Sequence, residues 1–443
     1  MRTRIVISIS VGTLLAALAA PVCLPAQEQS ARHDPKLPHY RVIDLGTLGG
    51  TTGLAYGINN AGLVDGVSTV PDGNQHAFLW HRGHMTDLGT LGGPNSIAYW
   101  LNNRNEASIT SDTSTADPLG EDFCGFGTHL ICFGARWNDG TMTALPTLGG
   151  NNSESFTLND RGQVVGVAEN KTQDSSCPAP QVLDYEAVIW GPKPTEIQRL
   201  RPLAGDTVGF ALGVNNQGQA VGSSGLCSNT TVVGLQVGPH AVLWDHGKPI
   251  NLGSLGGVQV NTAAAINDRG EVIGGSDLPG DSVIHSFLWT NAKGMQDLGT
   301  LSGDVISLGG WINNKTQIVG WSCDSNGNCR AYLWQGNVMT DLNSLIPADS
   351  KLYLMFPYGI TDAGTIVGQA MDKSTGELHA FLARPVRPQG RSTNTAPKEV
   401  VAASSLGHVT KHNLGGAAAR AEWSIRGVHA DAPPVRIEYI DAF

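Results

Sequence analysis

The stretch from Ile58 to Gly93 carries the pattern that decides the fold. It begins with Ile58-Asn-Asn-Ala-Gly-Leu-Val-Asp-Gly66, continues with His76-Ala-Phe-Leu-Trp80 and ends with Asp87-Leu-Gly-Thr-Leu-Gly-Gly93. Related copies of all three patterns recur along the chain in the same order, seven times each. The period is about fifty residues, which is typical of propeller blades and other stacked arrays.

One repeat contains four short strands. Residues Leu54–Ile58, Leu63–Val67, His76–Trp80 and Met85–Leu91 are the predicted strands a, b, c and d. Asn59-Asn-Ala-Gly62 between a and b is a tight-turn sequence, in which Gly supplies a positive φ. Four antiparallel strands per repeat are the blade of a β-propeller. The repeat holds no run with helical periodicity, which excludes a helical solenoid.

The two ends of the repeat region predict how the ring closes. The first unit is a lone d strand, Arg41–Leu48, and the last unit lacks a d strand after Phe381. The N-terminal strand can therefore complete the last blade, which avoids an exposed sheet edge. We predict an all-β fold, a seven-bladed β-propeller of four-stranded antiparallel blades closed in this way. An open solenoid of seven repeats is the alternative architecture.

The three patterns together resemble the bacterial HAF-repeat family of extracellular repeat proteins. The resemblance covers about Tyr40 to Arg384, although His-Ala-Phe itself is intact only at His76 and His379. Copies two and three depart most from the pattern. Membership implies a location outside the cytoplasm and implies no particular activity.

The chain ends predict export and a separate tail. Arg2 and Arg4 precede an apolar run, so we expect a signal peptide over residues 1–26. A linker over 27–39, the propeller over 40–384 and a flexible or weakly structured tail over 385–443 follow. The mature chain shows no other stretch of the length a membrane span needs. The expected location is secreted or extracytoplasmic: periplasm, cell surface or extracellular space.

Composition and charge indicate the fold class and exclude some classes of binding partner. The sequence has 56 Gly and only 15% charged residues, as expected of many short strands joined by turns. Between Tyr40 and Arg384 there are 17 Lys and Arg against 31 Asp and Glu, a net charge of −14. The basic surface that nucleic acid requires is therefore absent, and anionic membrane surfaces would be repelled.

Six cysteines remain after removal of the signal peptide, an even number that indicates disulfides in an exported protein. They allow fifteen connectivities. All lie in or beside the connections between strands b and c. We predict two local pairs, Cys124 with Cys132 and Cys323 with Cys329, and one pair between neighbouring blades, Cys177 with Cys227.

The repeated polar and aromatic residues are predicted to be structural. The repeated histidines fall one per blade on strand c, too far apart to share a metal ion. Asp324-Ser-Asn-Gly-Asn328 only faintly resembles a calcium loop and is better explained as a hairpin tip. We expect no metal and no cofactor. The strand-c tryptophans are assigned to packing between blades: Trp80, Trp137, Trp190, Trp244, Trp289 and Trp334.

Function is expected where the copies differ, in the long b–c connections of copies two to four. The candidate ligand-binding residues of that loop face are Asp112, Asp117, Glu121, Asp122, His129, Asp174, Asp281 and Trp321. No catalytic motif is present, so the leading hypothesis is a non-catalytic binding scaffold for a glycan, peptide or protein. The alternatives are a secreted polysaccharide hydrolase or lyase that uses loop carboxylates as acid and base, and a structural cell-surface protein.

Overall fold

A computed structural model describes residues 37–193, 195–231 and 236–386. It contains twenty-eight β-strands and two short 3₁₀ helices. The predicted signal peptide and most of the predicted tail lie outside the described residues. So does Val435–Ile440, whose alternating sequence suggests a strand. In the described part of the chain no helix has the length and apolar character needed to cross a membrane.

The strands form seven separate four-stranded antiparallel sheets, each a propeller blade. Strand β1 is His39–Asp44. Blade 1 consists of β2 (Gly53–Ile58), β3 (Val64–Thr69), β4 (Gln75–His81) and β5 (His84–Asp87). Blade 2 consists of β6 (Gly92–Leu101), β7 (Ala107–Ala116), β8 (Leu130–Asn138) and β9 (Thr141–Ala144). Blade 3 consists of β10 (Ser153–Leu158), β11 (Val164–Gln173), β12 (Leu183–Trp190) and β13 (Ile197–Leu200).

The remaining blades follow the same order. Blade 4 consists of β14 (Val208–Val214), β15 (Ala220–Gly225), β16 (His240–Asp245) and β17 (Lys248–Asn251), with the helix Cys227–Asn229 after β15. Blade 5 consists of β18 (Asn261–Ile266), β19 (Val272–Asp277), β20 (Ile284–Thr290) and β21 (Gly294–Asp297). Blade 6 consists of β22 (Ile306–Ile312), β23 (Ile318–Cys323), β24 (Cys329–Gln335) and β25 (Val338–Asp341), followed by the helix Leu342–Leu345. Blade 7 contains β26 (Leu352–Ile360), β27 (Ile366–Asp372) and β28 (Leu378–Val386).

The N-terminal strand completes blade 7, as predicted. Strand β1 pairs antiparallel with β28 in a register that runs from His39 opposite Val386 to Asp44 opposite Phe381. The backbone of Leu45 extends the pairing by donating to Ala380 O at 3.0 Å. The seven-bladed, closed architecture expected from the repeat is confirmed.

Every first strand contains a β-bulge that the repeat sequence encodes. In blade 1, Ala55 pairs with Gly66 and Gly57 pairs with Asp65, so Tyr56 is left without a partner in the ladder. A Cβ on Gly66 would collide with the Leu54 carbonyl. The last Gly of the Asn-Asn motif is therefore needed where the bulge presses the first strand against the second. Bulges of this kind redirect a side chain out of the regular pleat.

Buried aromatic side chains of the third strands hold neighbouring blades together. Phe78 and Trp80 of blade 1 pack in one cluster with Val367 and Leu382 of blade 7. The indoles of Trp190 and Trp244 donate to backbone carbonyls at 2.8 and 2.7 Å. Trp334 is also buried, whereas Trp137 and Trp289 are partly exposed. The strand-c aromatic residues thus contribute to the contacts between blades to different extents.

The repeated His and Asp residues pair within a blade. His76 Nδ1 lies 2.7 Å from an Asp87 carboxylate oxygen, and the other Asp87 oxygen accepts from the Gly89 backbone at 2.8 Å. His285 forms the same pair with Asp297 at 3.0 Å. The same arrangement joins His379 to Asp44 at 2.8 Å across the closing pair of strands. The third and fourth strands of a blade are thus tied through one histidine.

Long b–c connections of blades 2, 3 and 4 carry most of the departures from the repeat. They span residues 117–129, 174–182 and 226–239, against only 70–74 in blade 1. In blades 2 and 3 the flanking strands β7 and β11 are ten residues long, longer than the sequence pattern predicts. The structure contains the three expected disulfides: Cys124–Cys132, Cys177–Cys227 and Cys323–Cys329.

Candidate functional site

Two tryptophans close the central axis of the propeller. Trp100 belongs to β6 of blade 2 and Trp311 to β22 of blade 6, yet their rings stack with centroids 3.6 Å apart. Blades 7 and 1 lie between blades 2 and 6, so this stack reaches across the axis. Both rings also line a recess among the a–b turns, which form one end of the axis, whereas the b–c and d–a loops form the other end.

At the a–b end, an asparagine of each turn joins one blade to the next. The Asn102 side-chain amide donates to Asn159 O at 3.0 Å, and its carbonyl oxygen accepts from the backbone of Arg104 and Glu106. Equivalent side chains repeat this bond from blade 1 to blade 6, each donating to the carbonyl of the next turn: Asn59, Asn159, Asn215, Asn267 and Asn313.

A second set of turn side chains lies outside the first and surrounds a recess of about 290 Å³ whose lining includes Trp100 and Trp311. Asn103, for example, donates its backbone and side-chain nitrogens to the two Asp160 oxygens at 2.8 and 3.0 Å. We call the two sets together the turn belt. Its polar groups bond to the next blade in the same way at each junction from blade 1 to blade 7, which is the behaviour of a scaffold. The outer members are Asn60, Asn103, Asp160, Asn216, Asp268, Asn314 and Asp362.

At the opposite end, the bulge side chains converge on the axis from different blades. The Tyr56 ring lies 5.0 Å from the Tyr99 ring of blade 2 and 5.0 Å from the Tyr358 ring of blade 7. Tyr99 continues the series to Phe156 of blade 3 at 5.4 Å. The bulge position is Leu212, Ala264 and Gly310 in blades 4 to 6. The aromatic rings therefore occupy one side of the axis.

These rings remain partly accessible although the strands around them are buried. Tyr56, Tyr99 and Tyr358 are half-buried, whereas the preceding residues Ala55 and Ala98 are inaccessible. The rings of neighbouring blades form an arc, and Trp321 continues it beyond Tyr358. The ring centroid of Trp321 is 5.6 Å from that of Tyr358, and the Trp321 side chain is only 7% exposed. Accessible aromatic faces next to a packed backbone are the features of a binding surface.

A buried carboxylate stands beside this arc. Glu154 of β10 is 2% exposed and accepts a hydrogen bond from the Tyr99 hydroxyl at 3.0 Å. Its Oε2 has no hydrogen-bond partner among the described residues. Burial raises the pKa of Glu154 to about 8, and its charge contributes to the raised pKa of both Tyr56 and Tyr99. We call Tyr56, Tyr99, Tyr358, Trp321 and Glu154 the axial cup.

Of the eight loop-face residues predicted from the sequence, Trp321 alone belongs to the axial cup. Asp117 and Glu121 are instead part of a buried polar cluster between the loops of blades 2 and 3. The Gln181 amide donates to Glu121 Oε1 at 3.1 Å and to Glu169 Oε1 at 2.9 Å. The Asn152 amide joins Asp117 to Glu169 at 2.9 and 3.1 Å.

This cluster supports the loops. Glu121 Oε1 also accepts from the backbone of Val182 and Leu183 at 2.7 and 2.8 Å, and its side chain is inaccessible. Desolvation raises the pKa of Glu121 and brings that of Glu169 to about 8. Asp112 is likewise buried, and the side chains of Asn95 and Thr128 donate to it. The structure thus places three of the predicted ligand-binding residues in the interior.

The other four predicted residues lie on separate loops. Asp122 accepts from Gly127 N at 2.9 Å, and Asp174 accepts from Ser176 N at 2.7 Å. Asp281 accepts from Val258 N at 2.6 Å, in blade 5. His129 is exposed, with Nδ1 2.9 Å from Gly120 O. The hydrogen bonds of these residues stay within one blade's loops, so they are not brought together with the cup.

Two groups of described residues have enough potential ligand atoms within 4.8 Å of one another to hold a metal ion. One contains Cys177 and Cys227, but their sulfurs form a disulfide and are not thiolates. The other is Asp44, Asp372 and His379, which includes one of the repeated His–Asp pairs. Neither group lies in the axial cup.

The sequence contains a signal for the cup, although it lies in the strands and not in the loops. The bulge residue, which lies two positions before the last residue of strand a, varies from Tyr to Gly among the seven copies. Glu154 stands where the other copies have an uncharged residue, as at Leu54 and Phe210. Both departures occur inside strand a, where the repeat is otherwise most regular.

Comparisons with known proteins give only distant structural similarities. No family model matches the sequence, and no curated protein matches it. Among solved structures, the β-propeller domain of the Trilobed protease from Pyrococcus furiosus has a TM-score of 0.43 at 10% identity, covering 65% of this chain and 81% of that one. A puromycin hydrolase mutant has a TM-score of 0.46 at 12% identity, covering 75% and 53%. The Aleuria aurantia lectin has a TM-score of 0.34 at 11% identity, covering 78% and 100%.

Proposed function

We propose that this protein is an extracytoplasmic binding module without catalytic activity, and that its ligand binds in the axial cup. The observation that carries the proposal is the convergence of Tyr56, Tyr99 and Tyr358 from three blades onto the axis, half-buried and next to Glu154. Aromatic surfaces with a few convergent polar groups are the usual composition of a small-ligand site.

The contrast between repeated and unrepeated residues supports this location. A residue that recurs in most blades is explained by the folding of the blade, as Asn59 and its counterparts in blades 2 to 6 show. The cup residues differ from blade to blade at one backbone position. Folding does not require that difference, because Ala264 and Gly310 occupy the same position in blades 5 and 6.

The carboxylates of the loop face fit structural roles better than the hydrolase alternative. An acid and base pair must flank a bond of the substrate and therefore face an open cleft. Glu121 and Glu169 are inaccessible, and Gln181 already bridges them. The neighbouring Asp117 is held by Asn152.

The signal-peptide sequence and the three disulfides support a location outside the cytoplasm. We also propose that the repeats are of the HAF type, on the basis of the sequence patterns. The partners predicted from the sequence are a glycan, a peptide or a protein, and for the axial cup we propose a glycan, a peptide or another small molecule.

The proposal is tested by binding to arrays of glycans, peptides and small organic molecules, scored for both retention and cleavage. We expect the mature protein to retain at least one ligand without cleaving it. Tyr56→Ala should abolish that retention, because it removes the central ring of the arc. The substitution should fold, since Ala264 stands at the equivalent bulge of blade 5.

The control is Asn60→Ala, on the exposed rim of the turn belt at the other end of the axis. It should leave retention unchanged. Loss of retention in Asn60→Ala but not in Tyr56→Ala would locate the ligand at the a–b end and refute the proposal. Cleavage of any retained ligand would refute its non-catalytic part.

A further inference from the structure

We infer that the axial cup binds the alkylammonium group of a small organic cation. The inference rests on the proposed function, because it specifies the ligand class of the same site. It combines three features described above: several partly accessible aromatic rings near one another, one buried carboxylate beside them, and an acidic propeller around both.

The aromatic faces provide the first part of the recognition. A cation is attracted to the face of an aromatic ring when it lies within about 6 Å of the centroid, and several rings around one cation are a recurrent solution. Tyr56 is flanked on both sides by rings whose centroids are 5.0 Å away, tilted by 54° and 56°. Three neighbouring rings thus present their faces or edges within a short distance of one another.

The carboxylate provides the second part. Glu154 has one oxygen bonded to the Tyr99 hydroxyl and one buried oxygen without a partner among the described residues. A buried polar atom without a partner is costly in a folded protein, so an unpaired carboxylate oxygen is a reason to look for a missing cation. Other blades have an uncharged side chain here, including Leu308 and Phe356.

The donor set favours an organic cation over a metal ion. Calcium and magnesium need six or more oxygen ligands, and zinc needs nitrogen or sulfur ligands. The cup contributes one carboxylate and tyrosine hydroxyls among aromatic carbons, which is too few oxygens for such ions. An alkylammonium group has apolar carbons that contact the rings and a charge that the carboxylate neutralises.

The net charge of the whole propeller also favours a cationic ligand. Residues Tyr40 to Arg384 carry a net charge of −14, which raises the local concentration of cations and excludes anions. Glu154 is the carboxyl group that bonds to Tyr99, and a cation bound beside it would favour its ionised form.

Isothermal titration of the mature protein with three related probes tests the inference. Choline carries a quaternary ammonium, ethanolamine a primary ammonium, and dimethylbutanol replaces the choline nitrogen with carbon and has no charge. We expect choline to bind at least about tenfold more tightly than dimethylbutanol, since the cation–π and ionic contributions are lost together. The ratio of choline to ethanolamine distinguishes a quaternary from a primary ammonium ligand.

Two variants separate the contributions. Glu154→Gln keeps the shape of the side chain and should weaken choline binding about tenfold while leaving dimethylbutanol binding unchanged. Tyr56→Ala should weaken choline binding about tenfold or more, whereas Tyr56→Phe, which retains the ring, should stay within about twofold of the wild type. Circular dichroism and thermal unfolding show whether each variant is folded.

The outcomes distinguish this inference from the proposed function. Equal affinities for choline and dimethylbutanol, or no heat from either cation at about 10 mM, would overturn the ammonium assignment. If Tyr56→Ala still abolished the retention of an array ligand, the cup would remain a binding site, but for another class of ligand. If choline bound equally well to the wild type and to both Glu154→Gln and Tyr56→Ala, the inference would fail because the cation lies elsewhere.

Discussion

The two ends of the propeller axis are built from the same strand of the same repeat, yet they behave differently. At the a–b end, the turn belt uses nearly identical asparagines in successive blades and bonds each to the next. At the opposite end, the bulge position holds tyrosine in three blades and glycine in blade 6. The stacked rings of Trp100 and Trp311 belong to the lining of the recess at the a–b end.

The difference shows how a symmetric scaffold acquires an asymmetric site. Repetition is required where each blade must bond to its neighbour, because every junction faces the same geometry. Substitution is tolerated where a bulge directs the side chain into the central space and away from the ladder. The same backbone position can therefore carry Tyr56 in blade 1 and Ala264 in blade 5 without a change of fold.

The largest expected effect concerns the b–c end of the propeller, where a disulfide and not the turn belt joins two neighbouring blades. Cys177 and Cys227 join the b–c connections of neighbouring blades across fifty residues of sequence. Replacing both by Ser should lower the free energy of unfolding by about 4 kcal/mol, because the cross-link restricts a long loop of the unfolded chain. The matched control replaces both Cys323 and Cys329 by Ser. Because the disulfide removed there spans a sequence separation of only 6, its loss should lower the free energy of unfolding by about 2 kcal/mol.

Urea unfolding of the two double variants measures this difference. Equal losses would mean that the contact between blades 3 and 4 does not depend on the longer cross-link.

The next effect tests the belt itself. Asn159 is buried and makes four side-chain hydrogen bonds, to the backbone of Arg161 and Gln163, to the Gln163 amide and to Asn215 O. Asn159→Ala should lower the free energy of unfolding by about 3 kcal/mol, since it leaves buried groups unpaired. Asn60→Ala, an exposed neighbour in the same belt, should change it by less than about 0.5 kcal/mol.

Thermal unfolding compared with ligand retention completes that test. A belt variant that lost binding while keeping full stability would show that the a–b end recognises ligand.

The smallest expected effect is a pH dependence of the free energy of unfolding, caused by Glu154 of the axial cup. Because burial raises the pKa of Glu154 to about 8 in the folded protein, the folded state holds a proton that the unfolded state releases above about pH 5. Stability contributed by this group is therefore complete at low pH and is lost as pH rises from about 5 to 8. Glu154→Gln should match the wild type at pH 5 and exceed its free energy of unfolding by about 2 kcal/mol at pH 8.

The control for this measurement is Asp349→Asn, an exposed carboxylate whose replacement should leave the slope unchanged. A Glu154→Gln variant with the wild-type slope between pH 5 and 8 would contradict the buried, protonated state.

The architecture could be predicted from the sequence because each of its features is repeated. The Gly62 turn and the Trp80 packing residue recur at matching places, so errors in one copy are corrected by the others. The lone d strand at Arg41–Leu48 predicted the ring closure that β1 and β28 form. The disulfides followed from short spacings and elimination.

The cup could not be predicted in the same way. A bulge changes the direction of Tyr56 without leaving a distinct sequence pattern, so the alternation of a regular strand conceals it. Asp117 and Glu121 were assigned to the loop face because long loops are usually exposed. In the structure, Gln181 and Asn152 draw them into the interior, a contact between loops that single-chain patterns do not show.

The pairing of β1 with β28 has a consequence for the order of folding. His379 and Asp44 meet across 335 residues of sequence, so blade 7 cannot be finished until almost the entire described chain has been synthesised and delivered. Contacts of such long sequence separation slow folding, and an unpaired first strand offers a template for misassembly in the meantime. Pairing of β1 with β28 is therefore expected to be a slow step in folding, and a circular permutation that placed β1 directly after β28 should remove that delay.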